Sequence, residues 1–226
     1  MKKLVAVFGP SDSPSFSGGN SPSFSRRGQG VVFPIEHDHP PASPTMRPSL
    51  KRRGSLLDDA EHLGALLARA GFAVVTGGYD GVMRAASKGA REAGGQAIGV
   101  TAEVYFAKGR EANEYLTREV RVKSATDRLM ELLDLPDAFT AIGNSTGTLA
   151  EVAMAWDYMT KGFLEPKPLL LIGASWKEFV EYVGNKKSFK PYVHFVHYCP
   201  SAEDALRALV EKFGPQPILP ELELLK

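Results

Sequence analysis

Five short apolar runs, KLVAVFG, FAVVTGG, QAIGVT, AFTAIG and PLLLIG, are separated by stretches long enough for a helix, and this alternation narrows the fold more than any other feature. A run that is apolar at consecutive positions, rather than at every second one, belongs to a strand covered on both faces. Such strands need helices above and below, and helix-length connections between them give right-handed crossovers and parallel pairing. The expected architecture is an α/β fold, a Rossmann-like open parallel sheet with helices on both faces, in a single domain over residues 1–226. SLLDDAEHLGALLARAG places Leu56, Ala60, Leu63, Leu67 and Ala70 on one helical stripe, with Ser55 and Asp58 spaced like a capping box and Gly71 as a stop. GVMRAASKGAREAGG, ATDRLMELLDL and TGTLAEVAMAWDYMTKG read as further helices, REVRVKS as a short strand after a polar connection, and SWKEFVEYV, VHFVHYC and SAEDALRALVEKF as one more helix, strand and helix.

One segment breaks this pattern. Across residues 11–54 Ser, Pro, Gly and Arg crowd together, periodicity disappears, and SPSFS occurs twice. The composition predicts a low-complexity, disordered insertion. Its basic clusters at Arg26 and Lys51 read as solvated charge, and three adjacent residues at His37 to His39 cannot easily face one metal ion.

Composition removes several function classes. With 27 basic and 26 acidic side chains the formal charge is +1, so no global field points to nucleic acid or to a membrane surface, and any anion site must be local. Cys199 is the single cysteine, which excludes an internal disulfide and a multi-cysteine metal centre. No apolar run reaches roughly eighteen residues, and Pro10 interrupts the apolar start too early for a signal peptide. A cytoplasmic location without membrane or nucleic-acid partners is expected, with neither metal nor cofactor.

Ligands of an open parallel sheet sit beyond the carboxyl ends of its strands. FGPSDS, TGGYDG and the turn after AFTAI fall there. Gly77, Gly78 and Gly81 permit a tight turn and close backbone approach, and the helix behind them offers unpaired amides to an anion. Asn144, Ser145, Thr146 and Thr148 add donors around Gly147 in the later turn. Either turn taken alone reads equally well as an ordinary helix cap.

The combination resembles a known family. VVTGGYDGVMRAASKGAREAGGQAIGVT, followed by DRLMELLDLPDAFTAIGNSTGTLAEVAMAW, is similar to the Lonely Guy (LOG), or lysine-decarboxylase-like, proteins, and the likeness covers most of residues 3–10 and 55–210. Of that family's motif PGGxGTxxE, Gly147, Thr148 and Glu151 are present, while Gly143, Asn144 and Ser145 replace the PGG; Arg128 matches the family's Arg and Leu129 stands where its Lys is expected. The resemblance implies a homodimer that hydrolyses cytokinin riboside 5′-monophosphates to free base and ribose 5-phosphate, with Glu151 and Arg128 catalytic. The ligand implied is a nucleotide or another phosphorylated small molecule, its phosphate held by Ser145, Thr146, Gly147 and Thr148 and the rest of it approached by Asn144, Gly77, Gly78, Tyr79 and Gly81.

In that arrangement Glu151 lies in the first helical turn, is kept ionised by the helix dipole, and activates water or offsets positive charge on the sugar. Arg128 contributes planar donors. Without the resemblance, Glu151 reads as a favourable first-turn acid, Arg128 as a partner of Asp127, Glu131 or Asp134, and Val82 and Met83 as helix core. The alternative function is a carrier that holds a phosphorylated ligand without chemistry, as the related molybdenum-cofactor carriers do; the altered 143–145 turn and Leu129 favour it. Lysine decarboxylation needs pyridoxal phosphate on a Schiff-base lysine, and no lysine has that context. His194 and His197 on one strand point to opposite faces, Trp156 packs against the sheet or a second copy, and Cys199 has no neighbouring base.

Overall fold

The computed structural model describes residues 2–11 and 50–216, with side chains of the first helix from residue 56 onward. The insertion expected at 11–54, with its SPSFS repeats, Arg26 and His37 to His39, therefore lies outside the described residues except at its two ends.

Seven strands form one parallel sheet in the order β4-β3-β2-β1-β5-β6-β7. These are β1 (Leu4–Phe8), β2 (Ala73–Thr76), β3 (Ala97–Ala102), β4 (Arg118–Val122), β5 (Ala138–Ile142), β6 (Leu169–Ile172) and β7 (Val196–Cys199). The five apolar runs are β1, β2, β3, β5 and β6, and beyond Leu4 every residue in them is buried. Burial on both faces is what lets the apolar residues run consecutively. The edge strand β4 is polar and largely exposed, as an uncovered edge tolerates.

Helices α1 (Leu50–Arg69), α2 (Val82–Glu92) and α7 (Ala202–Phe213) cover one face, where Leu63, Leu67, Val82, Ala86, Ala205 and Leu209 meet Val5, Val7 and Val74. The other face carries α4 (Ala125–Asp134), α5 (Thr146–Thr160) and α6 (Ala174–Gly184), where Leu132, Val152, Trp156 and Trp176 meet Phe8, Phe139 and Leu171. Phe8 and Phe139 stack at 5.7 Å between the adjacent strands β1 and β5. The chain walks outward from β1 to β4 and then returns to β5 on the opposite side of β1. That reversal opens a crevice beyond the carboxyl ends of β1 and β5.

Three local expectations are corrected. The first helix begins at Leu50, not at Ser55, so Ser55 lies inside it and the Ser55 and Asp58 spacing does not mark its start; KRRG continues the helix because nothing in it stops one. The polar connection after β3 contains a short helix, α3 (Glu103–Phe106). VHFVHYC divides into a 3-10 turn, Val193–Phe195, and β7, which puts His194 and His197 on different elements.

Helices α1 and α2 approach each other backbone to backbone. A Cβ on Gly64 would collide with the Ala86 carbonyl oxygen, and one on Gly89 with the Glu61 carbonyl oxygen. Exposed helical Gly→Ala changes stabilise by about 1 kcal/mol, but here overpacking of about 1–3 kcal/mol opposes that gain. Gly64→Ala and Gly89→Ala are each expected to lower the urea midpoint, and equilibrium unfolding followed by circular dichroism measures it.

Candidate functional site

The β2–α2 turn, residues 77–81, rests on its surroundings through backbone groups. The Gly78 amide donates to Thr76 Oγ1 at 3.2 Å and the Gly78 carbonyl accepts from the Asn113 amide at 2.9 Å, while Asn113 Nδ2 donates to the Tyr79 carbonyl at 3.2 Å. Gly78 and Gly81 adopt φ of 79° and 70°, a region that favours glycine. The Val82 amide is already bonded to the Pro10 carbonyl, and Asp80 is exposed beside it. This helix start is accordingly less receptive to an anion than its glycines imply.

Tyr79 is buried beneath the turn. Its hydroxyl accepts from the Ala102 amide at 2.9 Å and donates to the Ala102 carbonyl at 3.3 Å, and burial pushes the phenol pKa up. Its ring packs edge to face against Tyr105 at 5.5 Å and Phe106 at 6.2 Å. Val82 and Met83 are buried as helix core.

The β5–α5 turn is more open. Gly143 takes φ 67°, and the Trp176 indole N–H holds its carbonyl at 3.0 Å. Ser145 caps α5: its Oγ accepts from the Thr148 amide at 3.1 Å and lies 2.9 Å from Thr148 Oγ1. Thr148 is buried, and both its amide and its hydroxyl are engaged by the Ser145 cap. Asn144, Thr146 and Gly147 are exposed, and among the described residues no hydrogen bond is identified for the Thr146 and Gly147 amides. Two free first-turn amides at the positive end of a fifteen-residue helix suit an anion.

Glu151 lies in the second turn of α5, past the range where the dipole dominates. It is partly exposed, and among the described residues it accepts no hydrogen bond. Burial pushes its carboxyl up to about 7, against the pull of Arg128. The expectation of a permanently ionised carboxylate is overturned, because desolvation outweighs the attraction.

Arg128 does not pair with Asp127, Glu131 or Asp134. Its Nε donates to the Val100 carbonyl at 2.8 Å and Nη2 to the Gly77 carbonyl at 2.9 Å, and its guanidinium lies 5.4 Å from the Tyr79 ring centroid and 5.7 Å from that of Tyr105. A side chain on Gly77 would collide with this guanidinium. Ser124 caps α4 in a reciprocal box with Asp127, which fixes the helix turn that carries Arg128. Leu129 beside it offers no charge. Asn113, Tyr105 and Arg110, all in the β3–β4 connection, join the same region without a periodic signal to mark them.

A crevice of about 340 Å³ adjoins the β5–α5 turn, lined among others by Leu56, His62, Gly143, Gly173, Ser201 and Glu203. A larger groove of about 940 Å³ along β6, β7 and α7 contains none of the glycine-turn residues. Cys199 is buried with its thiol pushed up to about 11, which leaves it protonated. Trp156 stacks on Phe189 at 5.4 Å and its indole N–H donates to the Tyr192 carbonyl, as a packing residue. Among the described residues no group of three or more His, Cys, Asp or Glu could hold a metal ion, and no helix is long and apolar enough to cross a membrane.

An open parallel sheet with a switch-point crevice, flanked by glycine turns, an Arg and a Glu, defines a Rossmann-like α/β protein. Residues 48–180 match the SLOG cluster4 family, and the chain belongs to that family. An uncharacterized protein from Archaeoglobus fulgidus is 28% identical over 96 residues, 42% of this chain and 61% of that relative, so the match spans about three-fifths of the relative's length. The fold is shared with the molybdenum cofactor binding protein of Rippkaea orientalis (TM-score 0.62, 22% identity, 94% of this chain and 98% of that one). It is shared equally with the molybdenum cofactor carrier protein of Chlamydomonas reinhardtii (TM-score 0.62, 23% identity, 93% and 98%).

The raised carboxyl of Glu151 has a stability consequence. Its pKa is about 7 folded against 4.5 unfolded, so its favourable contribution is complete below pH 4.5 and is lost as pH rises through 7. The loss is on the order of 3 kcal/mol. Glu151→Gln is expected to gain thermal stability relative to the parent between pH 4.5 and pH 8, which melting curves across that range will measure.

Proposed function

We propose that the protein binds a nucleoside 5′-monophosphate across the strand ends and hydrolyses its N-glycosidic bond. The observation that carries this reading is the partly exposed Glu151, free of hydrogen bonds among the described residues, with its carboxyl pushed up to about 7 and Arg128 opposing that rise. A group poised near neutral pH transfers protons in both directions with little driving force. The Thr146 and Gly147 amides hold the phosphate, and the sugar lies along the first turns of α5. Ionised Glu151 takes a proton from water as the water oxygen bonds to C1′ and the C1′–N bond breaks. The same proton passes to the departing base nitrogen, leaving free base and ribose 5-phosphate. Arg128, anchored by two carbonyls, directs its remaining donors at the ligand and limits the rise of the Glu151 pKa.

A second reading, a carrier without chemistry, has its own support. Thr148 is committed to the Ser145 cap, Leu129 adds no second cation, and proteins of the same fold are named for binding or carrying the molybdenum cofactor. Chromatography of a panel of nucleoside 5′-monophosphates, N6-substituted adenosine monophosphates included, separates the two readings. Hydrolysis predicts release of base and ribose 5-phosphate, an acid limb of the rate profile near pH 7, and a loss of at least about 100-fold in Glu151→Gln. Saturable binding without release assigns the carrier role.

A further inference from the structure

Beyond Arg128, a second guanidinium occupies the same aromatic wall. Arg110 sits 5.4 Å from the Tyr105 ring centroid and 5.9 Å from that of Tyr79, the two rings that Arg128 also approaches. Those rings meet edge to face at 5.5 Å. Arg128 spends two of its donor groups on backbone carbonyls. Arg110 does not. It is half-buried, and among the described residues its side chain has neither a hydrogen-bond acceptor nor an ion-pair partner; Glu103 and Glu111, acids in the same connection, form no ion pair with it. Nearby cations differ: Arg84, over Tyr115, is held by Glu114, and Arg121 is paired with Glu119 while lying over Phe106. A half-buried guanidinium held by aromatic faces, with its fork of donors unspent, is prepared for an anion.

The position of Arg110 separates this anion from the one at α5. Arg110 follows β3, whereas the free amides of Thr146 and Gly147 follow β5, and β3, β2, β1 and β5 are consecutive neighbours in the sheet. Three strand intervals separate the ends of β3 and β5 by roughly 14 Å, and Arg110 lies beyond α3 on the β3 side, over the rings of Tyr105 and Tyr79. One phosphate cannot reach both. A nucleotide extended from its phosphate to the outer edge of its base covers a comparable distance.

We propose that Arg110 receives a second anionic group at the end of the ligand remote from the phosphate, so that the preferred ligand is a nucleotide whose base carries an acidic substituent. The inference rests on the reading that the α5 turn holds a phosphate. Isothermal titration calorimetry with AMP and with N6-succinyl-AMP tests it, using the parent protein, Arg110→Ala and Arg110→Gln. The parent is expected to bind N6-succinyl-AMP at least about tenfold more tightly than AMP, the gain of one charge-assisted contact. Both variants should lose that preference while AMP affinity stays within about twofold. Arg110→Gln keeps much of the aliphatic stem and guards against a folding defect in Arg110→Ala, with melting curves as the control. Equal affinity of the parent for the two nucleotides, or a preference that survives in Arg110→Gln, overturns the inference and leaves the phosphate reading intact. Absence of AMP and N6-succinyl-AMP binding in the parent overturns both.

Discussion

The pair of hydrogen bonds from Arg128 to the carbonyls of Val100 and Gly77 joins three parts of the molecule that are remote in sequence. It ties α4 to β3 and to the first glycine turn, and it lays a positive charge over the rings of Tyr79 and Tyr105. That charge also reaches Glu151, which without it would be harder still to ionise. The geometry depends on residue types that leave room: Gly77 must lack a side chain because the guanidinium occupies that space. A capping box at Ser124 and Asp127 completes the arrangement by fixing the start of α4. The bond to Gly77 and the charge felt by Glu151 thus place one arginine between the two turns.

The sheet was almost wholly legible from the chain because burial on both faces leaves a direct trace, an apolar residue at each successive position. The edge strand β4 leaves no such trace, and REVRVKS reads as a short strand only by its place between helix-length segments. What escaped depended on tertiary contacts. The first helix starts before Ser55 because its beginning carries no stop signal, and a plausible cap pair inside a helix looks the same as one at its end. Thr148 looked like a free hydroxyl because its side-chain partner is another hydroxyl three residues away, a pairing that helical spacing allows but does not demand.

The motif locates Glu151 but does not report how its surroundings bear on its ionisation. A dipole argument uses only the distance to the helix end, and Glu151 stands in the second turn, just past the range in which that argument prevails. Desolvation is set by what packs around the side chain, which no local pattern reports. Arg110 is the opposite case. Nothing periodic surrounds it, and its significance emerges only when the β3–β4 connection folds back over the rings of Tyr79 and Tyr105. Membership of the SLOG cluster4 family and the shared fold account for the scaffold; the protonation and the placement of charge belong to this chain's own side chains.

The glycine contacts between α1 and α2 bear on how the crevice can respond to an occupant. Helices that touch backbone to backbone cannot slide or rotate past one another without first separating, so the two behave as a single rigid slab. That slab is also bound to the first strand's exit, through the Pro10 carbonyl on the Val82 amide. One wall of the crevice is in this way mechanically stiff. Compliance must come from the other wall, where the 143–148 turn is steadied at its first residue by the indole of Trp176. Fit to a ligand would then be a property of α5 and α6, with the opposite side serving as the fixed jaw of a vice.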